Sequence, residues 1–319
     1  MIIDRRSWLA LAVCGALPWG FARGGAPGAV VDGSWRDPER SREIPWRLRL
    51  PTVDGPWPLV LYSHGLGGSR EGGDAWGQAW RDAGIAVLHV QHGGSDTAVW
   101  REGVRALRAA ASAQQLLERA RDVRFVLDEL ARRAASREAP WTTMQADAIG
   151  MAGHSFGAMT TQALAGQRYP AGIQLADSRL RAFIALSPSS AQGMAGAFAE
   201  ITRPFFAITG SLDGDPFGSY DSGEPRARVY EGLPPGQRAL LWLDGADHMS
   251  FAGNREQRIR GTGLARRDPI AASREDRHHA LVARTTALWW RAHLLGDDAA
   301  RSALRAGPDL QPGDRFSWG

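Results

Sequence analysis

No lysine occurs anywhere in the 319-residue chain, so every fixed side-chain cation is an arginine. That excludes a phosphate-binding P-loop, whose chemistry needs a lysine after its glycines. Cysteine is nearly absent as well. Cys14 stands alone, so no intramolecular disulfide can staple the fold, and stability must come from a core. No apolar run reaches 18 residues, which leaves no ordinary membrane-spanning helix. Charge of one sign is lacking too: 38 basic against 34 acidic residues leave a formal +4, spread along the chain. A nucleic-acid partner needs a concentrated basic face, and none is present. No cofactor motif or metal set appears. The adjacent His278 and His279 lack the i, i+4 spacing of a helical zinc site.

What the chain does have is enough apolar residue, 44% of the total, to fill a large core. Its first 26 residues are laid out differently from the rest. Arg5 and Arg6 precede an apolar stretch from Trp8 to Trp19, and small residues follow at Gly20, Ala22, Gly24 and Ala26. A positive end, a short apolar segment and a small-residue exit describe an export signal. The paired arginines before Ser7, Trp8 and Leu9 resemble a bacterial twin-arginine signal. The expectation is a cleaved segment 1–26, with cleavage after Ala22 or Ala26, and a periplasmic or secreted single domain over 27–319.

From about residue 44, short apolar runs alternate with helix-period segments. The runs are Leu59–Tyr62, Ile85–Val90, Ala148–Ala152, Ala182–Leu186, Phe205–Thr209 and Ala239–Leu243. Near-continuous apolar runs of this length fit strands buried on both faces of a parallel sheet. Between them, Leu116, Ala120, Val123, Leu127 and Leu130 form one helical stripe, and Leu281, Leu288, Ala292 and Leu295 another. The alternation predicts an α/β fold, a mostly parallel central sheet with helices on both faces. Trp46, Leu48 and Leu50 alternate with Arg47 and Arg49, which predicts a half-exposed early strand; the Pro and Arg content before it suggests a loop.

Four segments carry candidate chemistry. Gly153-His154-Ser155-Phe156-Gly157 is a G-x-S-x-G string, which arises easily in a chain with 38 glycines. Its setting gives it weight: a buried-strand run lies directly before it and a helical segment, 158–165, directly after. That is the strand–turn–helix context of a nucleophile elbow. Ser63-His64-Gly65-Leu66-Gly67-Gly68 follows the Leu59–Tyr62 strand. A loop there supplies one backbone donor for an oxyanion, and the residue after the nucleophile supplies the other. Leu66 and Phe156 are the candidates. Asp213 follows the Phe205–Thr209 strand and so shares a sheet edge with Ser155; Asp215, two residues on, competes for the role of orienting carboxylate. His248 lies in the loop after the last strand run, and the order Ser155, Asp213, His248 is that of α/β-hydrolases. His92 follows a strand and is expected near the rim of the site, with Met194 and Met249 as further rim residues; Phe156, Phe198 and Phe217 could line an acyl pocket or pack in the core. Arg255, Arg258, Arg260, Arg266 and Arg267 crowd the segment after His248, where they could attract an anionic substrate or simply face solvent.

Together these segments resemble the α/β-hydrolase superfamily. More narrowly, residues 59–71, 153–157, 209–213 and 246–248 are similar to bacterial dienelactone-hydrolase-like and platelet-activating-factor-acetylhydrolase-like esterases, a resemblance that spans about residues 44–295. It implies a Ser155–Asp213–His248 triad with oxyanion donors at Leu66 and Phe156. It also implies a hydrolase of short-to-medium acyl esters, with a small-molecule or lipid ester as substrate. Authentic dienelactone hydrolases use cysteine as nucleophile; the serine here points to simple carboxylic esters. The alternatives are an acyltransferase or peptidase using the same triad, and a catalytically silent binding protein of the same fold.

Overall fold

The computed structural model describes residues 27–190, 196–254 and 267–319. The export signal expected over residues 1–26, Met194, and Arg255, Arg258, Arg260 and Arg266 lie outside them.

A nine-stranded sheet runs through the molecule. Its strands are β1 (Val30–Asp37), β2 (Arg42–Arg49), β3 (Trp57–Ser63), β4 (Ala86–Val90), β5 (Met144–His154), β6 (Leu180–Leu186), β7 (Phe205–Leu212), β8 (Arg238–Asp247) and β9 (Arg315–Trp318). Their spatial order is β1-β2-β4-β3-β5-β6-β7-β8-β9. The block from β4 to β8 is parallel, and antiparallel strands flank it at both ends. All six apolar runs named above fall within or at the ends of the parallel strands.

The helices are α1 (Asp74–Asp82), α2 (Val104–Ala110), α3 (Ala113–Ala135), α4 (Phe156–Ala165), α5 (Glu224–Gly232), α6 (Pro269–Ser273), α7 (Glu275–Leu294) and α8 (Asp298–Ala306). Because successive side chains on a strand point to opposite faces, each central strand feeds two cores. Leu59, Leu61, Met151, Phe183 and Phe205 pack with α3, α4 and α5 on one face. Val60, Tyr62, Ala152, Ile184 and Phe206 pack with α1, α7 and α8 on the other. This is why the runs read as continuously apolar. Gly150 of β5 marks a close contact of the second layer: a Cβ there would stand 2.6 Å from the Trp290 ring of α7.

The two edges depart from the sequence expectation. The segment read as a loop before Trp46 is strand β1, paired along its length with β2. Only Trp35 and Asp37 of β1 are buried, so the apolar signal is weak. Trp35, Trp46 and Trp141 pack together with centroid distances of 5.1–5.4 Å, and this aromatic knot holds the edge down. Strand β9, four residues long, was not expected at all. In the last stripe, Leu295 lies just past the end of α7 and is 42% exposed.

Trp80 of α1 is fully buried and donates its indole N–H to Thr286 Oγ1 of α7 at 2.8 Å, joining two helices of one layer. Trp80→Ala is expected to lower unfolding stability by about 3–5 kcal/mol, as large-to-small aromatic changes in a core do. Urea unfolding measures it, and a loss below 1 kcal/mol would contradict the packing described.

Candidate active site

The site is built where strand ends meet a sharp turn. Ser155 stands between β5 and α4 with φ 56° and ψ −117°, a strained conformation for a residue with a side chain. Packing leaves no other way through. A Cβ on Gly153 would stand 2.3 Å from the Gly157 backbone, and one on Gly157 only 1.9 Å from the Ser63 carbonyl oxygen. Both outer glycines of the G-x-S-x-G string are therefore steric requirements. The turn lifts the Ser155 hydroxyl clear of the sheet and into a cavity of about 410 Å³.

His248 reaches the same cavity from the turn after β8. Asp247 caps that turn: its carboxylate accepts the Ser250 N–H at 2.8 Å, while the Asp247 N–H donates to Ser250 Oγ. His248 Nε2 lies 2.9 Å from Ser155 Oγ, and Nδ1 lies 2.9 Å from Asp213 Oδ1. The structure thus brings together three residues separated by 58 and 35 positions in the chain. Asp215, the competing carboxylate, does not meet His248; it accepts the Ser219 N–H at 3.0 Å and lines the cavity rim.

Asp213 is wholly buried. Burial pushes its carboxyl upward, but Arg226, His248 and Ser187 outweigh that and hold it below the ordinary carboxylate range. Thr209 Oγ1 donates to its second oxygen at 2.8 Å. Arg226 of α5 stands 3.0 Å from Asp213 Oδ1 and also donates to the carbonyls of Asp213, Pro188 and Gly214.

Sequence reasoning missed two of these partners. Ser187, at the end of β6, donates to Asp213 Oδ1 at 2.7 Å, and its Oγ lies 2.8 Å from His248 Nδ1. The imidazole N–H therefore faces two acceptors. Ser187 also has a positive φ of 56°. The available signal was a polar residue ending a buried run on the strand beside the elbow. Arg226 offered none, being one arginine among many.

Leu66 lines the cavity, and its N–H makes no hydrogen bond among the described residues. Phe156 is the first residue of α4, so its N–H has no partner within the helix. Trp100, Leu107 and Phe217 supply an apolar wall, and Met249 also lines the cavity. Phe198 is buried in the core. Arg267 is paired with Asp247 and Glu275 and so is not free to receive an anion.

His92 requires a correction. It is not at the rim but fully buried, with Nδ1 3.0 Å from Asp122 and Nε2 3.0 Å from Ser63 Oγ. A histidine just past a strand can turn either way, and here buried polar partners beneath the loop claim it. His154 is also enclosed. Its Nε2–H donates to the His248 carbonyl at 3.0 Å, and the two rings lie 4.8 Å apart.

No known protein-family model matches the chain, and no curated protein matches it. Solved structures do. A ferulic acid esterase from Streptomyces cinnamoneus matches with a TM-score of 0.63 at 20% identity, covering 94% of this chain and 98% of that one. A 2,6-dihydroxy-pseudo-oxynicotine hydrolase matches with a TM-score of 0.52 at 15% identity, covering 84% of this chain and 69% of that one.

Burial pushes the His89 and His154 imidazoles down to about 3 and His92 to about 4, and it drives His64 well below its usual value. These four stay neutral in the folded chain while an unfolded histidine takes up a proton near pH 6.5. The unfolded state then binds more protons, so stability is present above pH 6.5 and falls as pH drops towards 4. Each group contributes up to about 1.4 kcal/mol per pH unit. Urea midpoints measured from pH 7 to 4.5, above the carboxylate range, are expected to fall steeply; a flat profile would contradict this. Taken with the strand order and the position of the elbow, these likenesses show that the chain has the α/β-hydrolase fold.

Proposed function

We propose that the protein is a serine carboxylic ester hydrolase. The observation that carries this is the continuous chain from Ser155 Oγ to His248 to Asp213, with 2.9 Å at each step, opening into a cavity. The likeness in fold to an esterase and a second hydrolase supports it. Ser155 Oγ attacks the ester carbonyl while its proton passes to His248 Nε2. Asp213, ionised at neutral pH, holds the Nδ1–H tautomer and stabilises the imidazolium that forms. The N–H groups of Leu66 and Phe156 receive the oxyanion, each such donor being worth roughly 3 kcal/mol at the barrier. The adduct collapses, His248 returns the proton to the leaving alkoxide, and an acyl-enzyme remains. Water, deprotonated by the same imidazole, then releases the acid and restores Ser155.

The substrate reading is a neutral ester with a short-to-medium acyl group. The wall of Leu66, Trp100, Leu107 and Phe217 suits an apolar group, and about 410 Å³ exceeds what an acetyl group needs. Asp215 and Asp221 on the rim disfavour an anionic headgroup. A panel of p-nitrophenyl esters of graded chain length, together with a phospholipid and an alkyl hydroxycinnamate, ranks these classes.

Ser155→Ala is expected to abolish p-nitrophenyl ester hydrolysis and covalent labelling by a fluorophosphonate while leaving the thermal midpoint unchanged. Asp213→Asn is expected to lower kcat by on the order of 10⁴, because the amide favours the wrong imidazole tautomer. Full activity in the Ser155→Ala protein would refute the assignment.

A further inference from the structure

Beneath the loop 63–68 lies a buried polar network that the hydrolytic steps do not use. Arg119 of α3 is wholly buried, and burial lowers its guanidinium only to about 9, so it stays charged at neutral pH. Its Nη1 donates to the His64 carbonyl at 2.7 Å, and Nη2 approaches the Gly65 carbonyl at 3.4 Å. Ser95 Oγ accepts from Nε at 2.8 Å and fixes the fork. His64 adds a second hold on Gly65: its Nδ1–H donates to the Gly65 carbonyl at 2.7 Å. Its Nε2 accepts the His92 N–H at 3.0 Å, which settles the tautomer. His92 is locked in turn between Asp122 and Ser63.

The geometry of the peptide bond turns this anchoring into a direction. In a trans peptide the carbonyl and the following N–H point to opposite sides. Three donors draw the Gly65 carbonyl inward: His64 Nδ1, Arg119 Nη2 and the Gly68 N–H at 3.1 Å. The Leu66 N–H must then point outward. That peptide lies beside the nucleophile: a Cβ on Gly65 would stand 3.4 Å from Ser155 Cβ. The same guanidinium also lies 4.4 Å over the Phe156 ring, the side chain of the residue that carries the other donor.

We infer that Arg119, with His64 as its partner, is the positioning residue of the oxyanion site, one buried cation that sets the Leu66 N–H through the Gly65 carbonyl and braces Phe156. This rests on the hydrolase reading above. Arg119 touches no reacting atom, so its effect belongs to the tetrahedral state and not to ground-state binding.

The test uses the full chain and a simple alkylboronic acid. Ser155 Oγ adds to boron, its proton passes to His248, and the resulting tetrahedral anion occupies the oxyanion site. In Arg119→Gln, kcat for p-nitrophenyl acetate is expected to fall on the order of 10²-fold with KM within threefold, and boronate affinity to fall by the same factor. In Ser95→Ala, which frees Nε and gives up the long Ser95 Oγ bond to the His92 carbonyl at 3.3 Å, both are expected to fall about fivefold together. Arg119→Lys keeps the charge but loses the fork, and is expected to recover only part of the loss. Urea unfolding verifies each variant, and if Arg119→Gln does not fold, Ser95→Ala and Arg119→Lys decide. Boronate affinity unchanged in folded variants, or a loss confined to KM, overturns the inference while leaving the hydrolase reading intact. Failure of wild-type Ser155 to react with a fluorophosphonate overturns the hydrolase reading, and this inference with it.

Discussion

The first turn of α4 lies against the end of β3 with no room between them. Gly157 meets the Ser63 carbonyl so closely that even a methyl group would overlap it. That contact fixes the height of the elbow above the sheet, forces Ser155 into its strained backbone angles, and brings the loop after β3 alongside it. The meeting of Ser155 with His248 and Asp213, and the nearness of the Leu66 loop, both follow from this approach. A sheet with parallel central strands makes it possible, because every strand from β3 to β8 delivers its carboxyl end to the same edge.

Two serine–histidine–aspartate relays occur among the described residues. One joins Ser155, His248 and Asp213 and opens to the cavity; the other joins Ser63, His92 and Asp122 and is sealed beneath the loop. Their hydrogen bonds are nearly identical in length. What separates them is access: His248 keeps part of its side chain exposed, whereas His92 keeps none. Buried polar groups must find partners, and a neutral imidazole with one donor and one acceptor satisfies a carboxylate and a hydroxyl at once. The same local pattern therefore serves packing in one place and suits proton transfer in the other.

Much of the architecture was legible in the sequence because strands buried on both faces leave uninterrupted apolar runs. The elbow was legible because two glycines flank the serine for steric reasons. Asp213 could not be separated from Asp215 by pattern, since both follow the same strand beside glycine; only the fold shows that the first turns inward and the second stays on the rim. β1 and β9 were hidden because edge strands bury only part of their residues. Arg226 and Arg119 were illegible for another reason. Their significance lies in carbonyls and carboxylates donated by distant segments, and no spacing within the chain encodes that.

Trp100 donates its indole N–H to the Gly67 carbonyl at 2.8 Å, and position 67 must be glycine twice over: its φ is +72°, and a Cβ there would stand 2.3 Å from the indole. Trp100 belongs to the segment between β4 and α3 that walls the cavity, while Gly67 belongs to the loop holding Leu66. The cavity wall and the loop beside Ser155 are thus mechanically joined in this chain. Grafting a different wall in place of residues 97–110 would not merely reshape the space for a substrate; it would also release one anchor of the loop whose backbone faces the nucleophile.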